Sequence, residues 1–226
     1  MTDETRTGGA DLGQPTKLTA TKQRWAHEGR FLTGTSARSE NESLPPGQHL
    51  VTDWPVLDLG MHPDVATSRW RLDMFGAVER PMILDWAGLQ DLPQRRAVSD
   101  IHCVTTWSRY DNAWEGVLTR DLLQAVQPKP DARFVVLQSY DGYTTNLSLE
   151  DFAADGALLA HSWQGVPLAQ VQGGPLRLVV PQLYFWKSAK WLQRIEFRTA
   201  DRPGFWEVRG YHNRGDPWDE QRYSDD

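Results

Sequence analysis

Apolar residues are sparse and aperiodic over the first 43 positions and then fall into short, regular blocks. From Arg69 to Phe75 they alternate, with Trp70, Leu72 and Met74 on one side, the pattern of a half-buried strand. Pro81–Leu84 reads as its hairpin partner. Asp85–Leu92 reads as a short helix stopped by Pro93, because proline has no amide proton to extend the ladder. Thr119–Val126 predicts a second helix, with Leu122, Leu123 and Val126 on one face and Pro128 just past its end. Arg133–Ser139 is β-branched and predicts a strand, with Asp141-Gly142 as its turn signal. Ser148-x-x-Asp151 opens a third short helix as a capping box. Leu176–Val180 reads as a buried strand, and Trp191, Ile195 and Phe197 alternate with charges along another. Ala97–Ile101 has the look of a strand end, and Val104–Trp107 leads into a polar loop. Short helices among many short strands, with no βαβ rhythm, predict a β-rich α+β fold.

The stretch before these blocks, residues 1–43, predicts a flexible arm, with Trp25 and Phe31-Leu32 as docking points. Leu44-Pro-Pro-Gly-Gln-His49 ends it, and residues 44–226 read as one domain. A formal charge of -6 and a pI near 5.5 argue against nucleic acid or an anionic membrane as the main partner. No apolar run approaches bilayer length, and the polar start lacks an apolar leader core, so the expected setting is the cytoplasm. No G-x-G-x-x-G follows a strand and no phosphate-binding G-x-x-x-x-G-K-[ST] is present. With one cysteine the chain forms no internal disulfide and no four-thiolate iron–sulfur cluster. Any electrons it handles therefore leave through a separate redox protein. The eleven tryptophans read as core packing or rigid pocket wall.

The candidate chemistry centres on that cysteine, Cys103, in Ile101-His-Cys-Val-Thr-Thr-Trp-Ser108. Read alone, a single cysteine is most often a small buried apolar residue. A thiolate at a strand–loop junction can also bind a soft metal, or act as a nucleophile if a base such as His49 or His212 reaches it. His102 is its neighbour, and in a strand would face the other way. Gly173-Gly-Pro-Leu-Arg177 combines glycines that admit close approach with an arginine fork suited to phosphate or carboxylate. Lys187-Ser-Ala-Lys190 offers two cations and a hydroxyl for an anion. The segment from Phe205 to Trp218 is polar-aromatic, as expected of a tail tied down at a cleft or of a partner-binding segment.

Taken in order, these stretches resemble the sulfite oxidase superfamily of molybdopterin-dependent oxidoreductases, which includes the catalytic subunit of the periplasmic methionine sulfoxide reductase. The resemblance runs from about Pro45 to Tyr211. It implies a sulfite-oxidase-type molybdopterin-binding fold, a molybdenum ion ligated by Cys103, and molybdopterin without an added nucleotide. It implies pterin contacts from Gln172, Gly173, Gly174 and Arg177, with Gln172 where the family has His or Asn. Lys187, Ser188 and Lys190 would cradle the pterin phosphate, and Gln48-His49 would match the segment near the domain start. Tyr211 matches the tyrosine near the metal in sulfite oxidases. Gly47 stands where those enzymes carry one arginine, and the segment holding their second, shortly after the cysteine, here reads Thr105-Thr-Trp-Ser-Arg109, with Arg109 as the candidate replacement. The implied activity is oxygen-atom transfer to or from a small substrate. The alternatives are a molybdopterin-binding subunit that keeps the fold without catalysis, and a cysteine hydrolase.

Overall fold

The computed structural model describes residues 44–226 and, ahead of them, only the helical positions Lys17, Ala20, Thr21 and Arg24. The expected docking points Trp25, Phe31 and Leu32 lie outside the described residues. Two sheets carry the fold. The first contains β1 (His49–Leu50), β4 (Gln94–His102), β5 (Trp107–Leu118), β8 (Leu158–Trp163), β9 (Val166–Pro167) and β10 (Arg177–Val179). Its path runs β1-β5-β8-β10, with β4 also on β5 and β9 on β8. The second runs β3 (Met82–Asp85), β2 (Arg71–Gly76), β11 (Leu192–Arg198), β6 (Phe134–Ser139) and β7 (Thr144–Ser148). Within residues 44–226, three short helices, α1 (Trp86–Gln90), α2 (Thr119–Val126) and α3 (Leu149–Phe152), complete the β-rich α+β architecture.

Local signals act where the sequence places them. Strands β2 and β3 form the antiparallel hairpin, Leu72 facing Leu84 across the pair. Asp85 caps α1 by accepting from the Gly88 amide at 2.9 Å, and Ser148 caps α3 by accepting from the Asp151 amide at 2.9 Å. Each such cap satisfies a backbone donor that a helix start leaves open, worth about 1 kcal/mol. Leu122 and Val126 bury the inner face of α2. The turn at Asp141-Gly142 joins β6 to β7. The predicted polar loop after Trp107 is instead β5, the longest strand at 12 residues. Ser108 and Asn112 are fully buried in it because their polar atoms are bonded within the sheet. The Asn112 amide donates to the carbonyls of Ser99 and Arg109, and Ser108 Oγ reaches His102 Nδ1 at 2.8 Å.

The apolar residues divide into two clusters. The larger includes Trp70, Leu72, Met74, Leu122, Leu137, Leu178 and Ile195. The smaller includes Ile101, Cys103, Trp107, Trp114, Tyr184 and Tyr211, so the lone thiol sits in a core of its own. No helix among the described residues is long and apolar enough to cross a membrane.

Candidate functional site

Cys103 stands in the tight connection between β4 and β5. Its amide donates to the Trp107 carbonyl at 2.9 Å, and its carbonyl accepts from the Thr106 amide at 3.0 Å, closing the loop on itself. Thr106 turns the corner at φ 74°. Outside this loop, Gln48 Nε2 donates to the Cys103 carbonyl at 3.1 Å, and β1 lies parallel to the start of β5, His49 opposite Trp107. The side chain is 7 % exposed, and Sγ lies 3.1 Å from Thr105 Oγ1. Burial pushes the thiol pKa up, against the hydrogen bonds of Thr105 and the charges of Arg222 and Lys190. A metal ion would displace the thiol proton, because the thiolate is the ligating form.

Cys103 opens on a solvent-connected cleft. Its walls come from the loop after β1 (Trp54, Leu57, Asp58), the β4–β5 loop, the β6–β7 turn (Ser139, Asp141, Tyr143), β10 (Arg177), the stretch from Phe185 to Trp191, and the tail (Trp206, Tyr211). Arg177 is 1 % exposed. It donates to the carbonyls of Leu178, Gln172 and Ser188 and lies over the Phe185 ring at 4.1 Å. Among the described residues no carboxylate pairs with it, and burial pulls its pKa down to about 9. Ser188 Oγ accepts from the Val180 amide, and Lys190 Nζ donates to the Val171 carbonyl. Tyr211 packs between the rings of Trp206 at 4.9 Å and Tyr223 at 5.7 Å. Burial raises the pKa of its hydroxyl, so the group keeps its proton and can donate it.

The structure thus brings Cys103, Arg177, Ser188, Lys190 and Tyr211 to one cleft. It places the other expected residues differently. Lys187 is fully buried outside the cleft walls, paired with Glu207 at 2.6 Å and bonded to the Asn146 and Asn213 carbonyls. Gln48 reaches the cleft only through the Cys103 carbonyl, and Gln172 only through its own carbonyl on Arg177. Gly173 and Gly174 serve the chain's own packing. A Cβ on Gly174 would stand 2.3 Å from the Leu168 carbonyl oxygen, and Gly173 takes φ +104° against Lys190. His49 and His212 do not line the cleft; His212 Nδ1 accepts from the Arg214 and Gly215 amides. A hydrolase base is therefore not beside the thiol. Arg109 is spent on the Thr52 carbonyl and on the Trp163 ring, 4.8 Å away.

Several wall residues escape sequence reading. Asp58 and Asp141 face the cleft near Lys190. Burial works to raise both carboxyls; at Asp58 the Gly60 amide, His62 and Lys190 outweigh it, whereas at Asp141 burial prevails. The Asp141-Gly142 turn signal located the loop but not its orientation, and Asp58 sits in a stretch with no periodicity.

Two buried polar atoms on wall residues, Trp107 Nε1 and Ser139 Oγ, have no hydrogen-bond partner in the protein. With a buried guanidinium lacking a counter-charge, they call for a group that is polar and anionic. Among the described residues no cluster of three or more His, Cys, Asp and Glu side chains could hold a metal. A metal at Cys103 would therefore bring most of its ligands with it. A metal-bearing pterin with sulfur ligands and a phosphate fits that donor set.

The fold and cleft define a molybdopterin-dependent oxidoreductase of the sulfite oxidase superfamily. The chain belongs to the oxidoreductase molybdopterin-binding domain family, whose pattern matches residues 59–206. It is 45% identical over 195 residues to the uncharacterized oxidoreductase YuiH of Bacillus subtilis, covering 86% of this chain and 98% of that one. It is 28% identical over 158 residues to the catalytic subunit MsrP of the protein-methionine-sulfoxide reductase of Campylobacter jejuni, covering 62% of this chain and 53% of that one. The Gluconobacter oxydans MsrP is 32% identical over 155 residues, covering 61% of this chain and 49% of that one. The chain thus spans about half the length of these two MsrP relatives. The sulfane dehydrogenase SoxCD of Paracoccus pantotrophus shares the fold, with a TM-score of 0.58 at 16% identity over 86% of this chain and 55% of that one. The protein is an enzyme of this family, and molybdenum–molybdopterin is its cofactor.

Proposed function

We propose that the enzyme moves an oxygen atom to or from a small uncharged substrate at a molybdenum held by Cys103, with electrons exchanged through a separate redox protein. The observation that carries this is the convergence of one buried thiol, an unpaired buried guanidinium and a protonated tyrosine on one cleft. When bound, the cofactor supplies two-electron oxygen-atom transfer, and the protein supplies position and electrostatics. Cys103 would hold the metal. Arg177, Lys190 and Ser188 would hold the anionic part of the cofactor, with the Asp141 and Ser139 side chains also lining the cleft. Tyr211, its hydroxyl protonated, would donate a hydrogen bond to the oxygen of the substrate.

The substrate class follows from the walls. The aromatic residues Trp107, Trp186, Trp206 and Tyr211 line the cleft with Cys103, while its lining cations are Arg177 and Lys190. A dianion would leave water for that aromatic wall without a cation of its own, at a high desolvation cost. A sulfoxide or N-oxide sheds far less hydration. The names of the MsrP relatives, reductases of a sulfoxide, support the same side. A single cysteine rules out an all-cysteine iron–sulfur cluster within the chain, which supports an external electron partner. Folding without a disulfide is compatible with the cytoplasm as its setting, and fractionation of cells carrying the tagged protein tests that.

The activity test is turnover of the molybdenum-loaded protein with a reduced viologen dye across sulfoxides, N-oxides and nitrate, and with an electron acceptor on sulfite. The expected result is reduction of neutral oxides with sulfite untouched. Sulfite oxidation without oxide reduction would overturn the substrate class.

A further inference from the structure

The end of the chain folds back on the loop that carries Cys103. Tyr211 and Tyr223 form an isolated antiparallel bridge, flanked by hydrogen bonds from the His212 amide to the Arg222 carbonyl at 3.1 Å and from the Ser224 amide to the Gly210 carbonyl at 3.0 Å. This short pairing sends the Arg222 side chain toward the metal-ligand loop, where its fork divides. Nη1 donates to the Val104 carbonyl at 2.9 Å, and Nη2 donates to the Pro46 carbonyl at 3.0 Å. The guanidinium lies over the Tyr184 ring at 5.0 Å. Gly47 makes the room: a Cβ there would stand 3.1 Å from Arg222 Nη2, at a φ of +68° that side chains rarely adopt. One residue on, Gln48 donates to the Cys103 carbonyl. The two carbonyls that follow the thiol are therefore gripped separately, that of Cys103 by Gln48 and that of Val104 by Arg222. Both gripping segments, 45–51 and 211–226, lie outside residues 59–206, the span the family pattern matches.

We infer that Arg222 is a positioning residue for the metal ligand: its fork ties the Cys103–Val104 segment to Pro46 and fixes where the thiolate stands. The inference rests on Cys103 being the molybdenum ligand. The planar fork sends its two donors out in fixed, divergent directions, which a compact ammonium on a flexible stem does not reproduce at this spacing. The bridge at Tyr211 and Tyr223 makes the clasp continuous with the substrate side, since the strand pair that aims Arg222 also carries Tyr211. Arg222 is also among the charges that act on the thiol, so its removal changes the charge at the metal as well as the tether.

The test uses full-length protein from a cofactor-competent host, as wild type, Arg222→Lys and Arg222→Gln. Molybdenum and pterin per chain are measured with the electron paramagnetic resonance spectrum of the half-reduced metal and its midpoint potential. The expected result is pterin retained in both variants and a displaced or broadened resonance spectrum in both, because both lose the fork. The midpoint should fall in Arg222→Gln and stay nearer wild type in Arg222→Lys, which keeps the charge. A wild-type spectrum and potential in a fully loaded Arg222→Gln would overturn the proposal. If that variant does not fold, a wild-type spectrum in Arg222→Lys overturns it alone. Wild-type protein lacking molybdenum and pterin would overturn the cofactor reading, and this one with it, a result distinct from loaded variants with unchanged spectra.

Discussion

Arg177 and Lys187 are both buried cations close to the cleft, and their surroundings give them different work. Arg177 has only carbonyl dipoles and ring faces around its charge. Dipoles solvate a buried cation without neutralising it, so an anion entering the cleft is favoured. Arg177→Gln removes the charge while keeping a polar side chain. Cofactor retention should fall by about 10- to 150-fold, the equivalent of one charge-assisted hydrogen bond at about 1.5–3 kcal/mol. Pterin and molybdenum per chain after dialysis check this, and wild-type retention would contradict it. Lys187 already has its anion in Glu207, which also accepts from Thr145 Oγ1 and Trp186 Nε1. Lys187→Ala leaves that carboxylate buried and unpaired, so it should cost about 3–5 kcal/mol of stability. Chemical denaturation measures it, and a loss under about 1 kcal/mol would place the pair's weight elsewhere. The spacing Lys-Ser-x-Lys could not separate the two lysines of that run. The short 3-10 turn from Phe185 to Lys187 sends Lys187 inward to Glu207 and leaves Lys190 on the cleft wall, and Glu207 is 20 positions away in the chain.

At the scale of elements, the strands that alternate or run apolar were legible, and the strand made of satisfied polar groups was not. β2, α2 and β6 lie within two residues of where the pattern puts them, because water exclusion alone decides which face turns inward. β5 reads as a polar loop because Ser108 and Asn112 look solvent-seeking until Ser99, His102 and Arg109 are found beside them. The same principle holds His161 on β8. The Gln94 amide donates to the Leu89 and Leu92 carbonyls, which leaves its Oε1 to accept from His161 Nε2, and Nδ1 then accepts from Ser162 Oγ. That network fits the neutral ring, and burial holds the His161 pKa below the ordinary histidine value of 6.5. A lowered folded-state pKa means the unfolded chain takes up the proton first as pH falls. Stability from this group is therefore present above pH 6.5 and lost as pH drops below it. Melting temperatures of wild type and His161→Gln from pH 8 to pH 5 should converge toward the acid end, and a constant gap would contradict the neutral network.

For the whole molecule, the two sheets matter because their loops meet. The β4–β5 loop of the first sheet and the β6–β7 turn of the second converge with the tail, and the cleft forms where they do. The sequence order of the motifs identified the family, and the fold brings one or more residues of the Cys103, Arg177, Ser188–Lys190 and Tyr211 motifs to that cleft. That order could not reveal the clasp of Arg222 on Val104, a contact across 118 positions. Nor could it show that Asp58 and Asp141 share a wall with Lys190. Those facts exist only once the chain has closed on itself. The central claim is that Cys103 is the protein's thiolate on molybdenum within this cleft. The most direct test is metal and pterin analysis of wild type beside Cys103→Ala, both from a host that makes the cofactor, together with their visible absorption spectra. Wild type should carry about one molybdenum and one pterin per chain. Cys103→Ala should retain the pterin, with the metal lost or its thiolate absorption gone. An unaltered metal spectrum in Cys103→Ala, or wild type with neither molybdenum nor pterin, would contradict it.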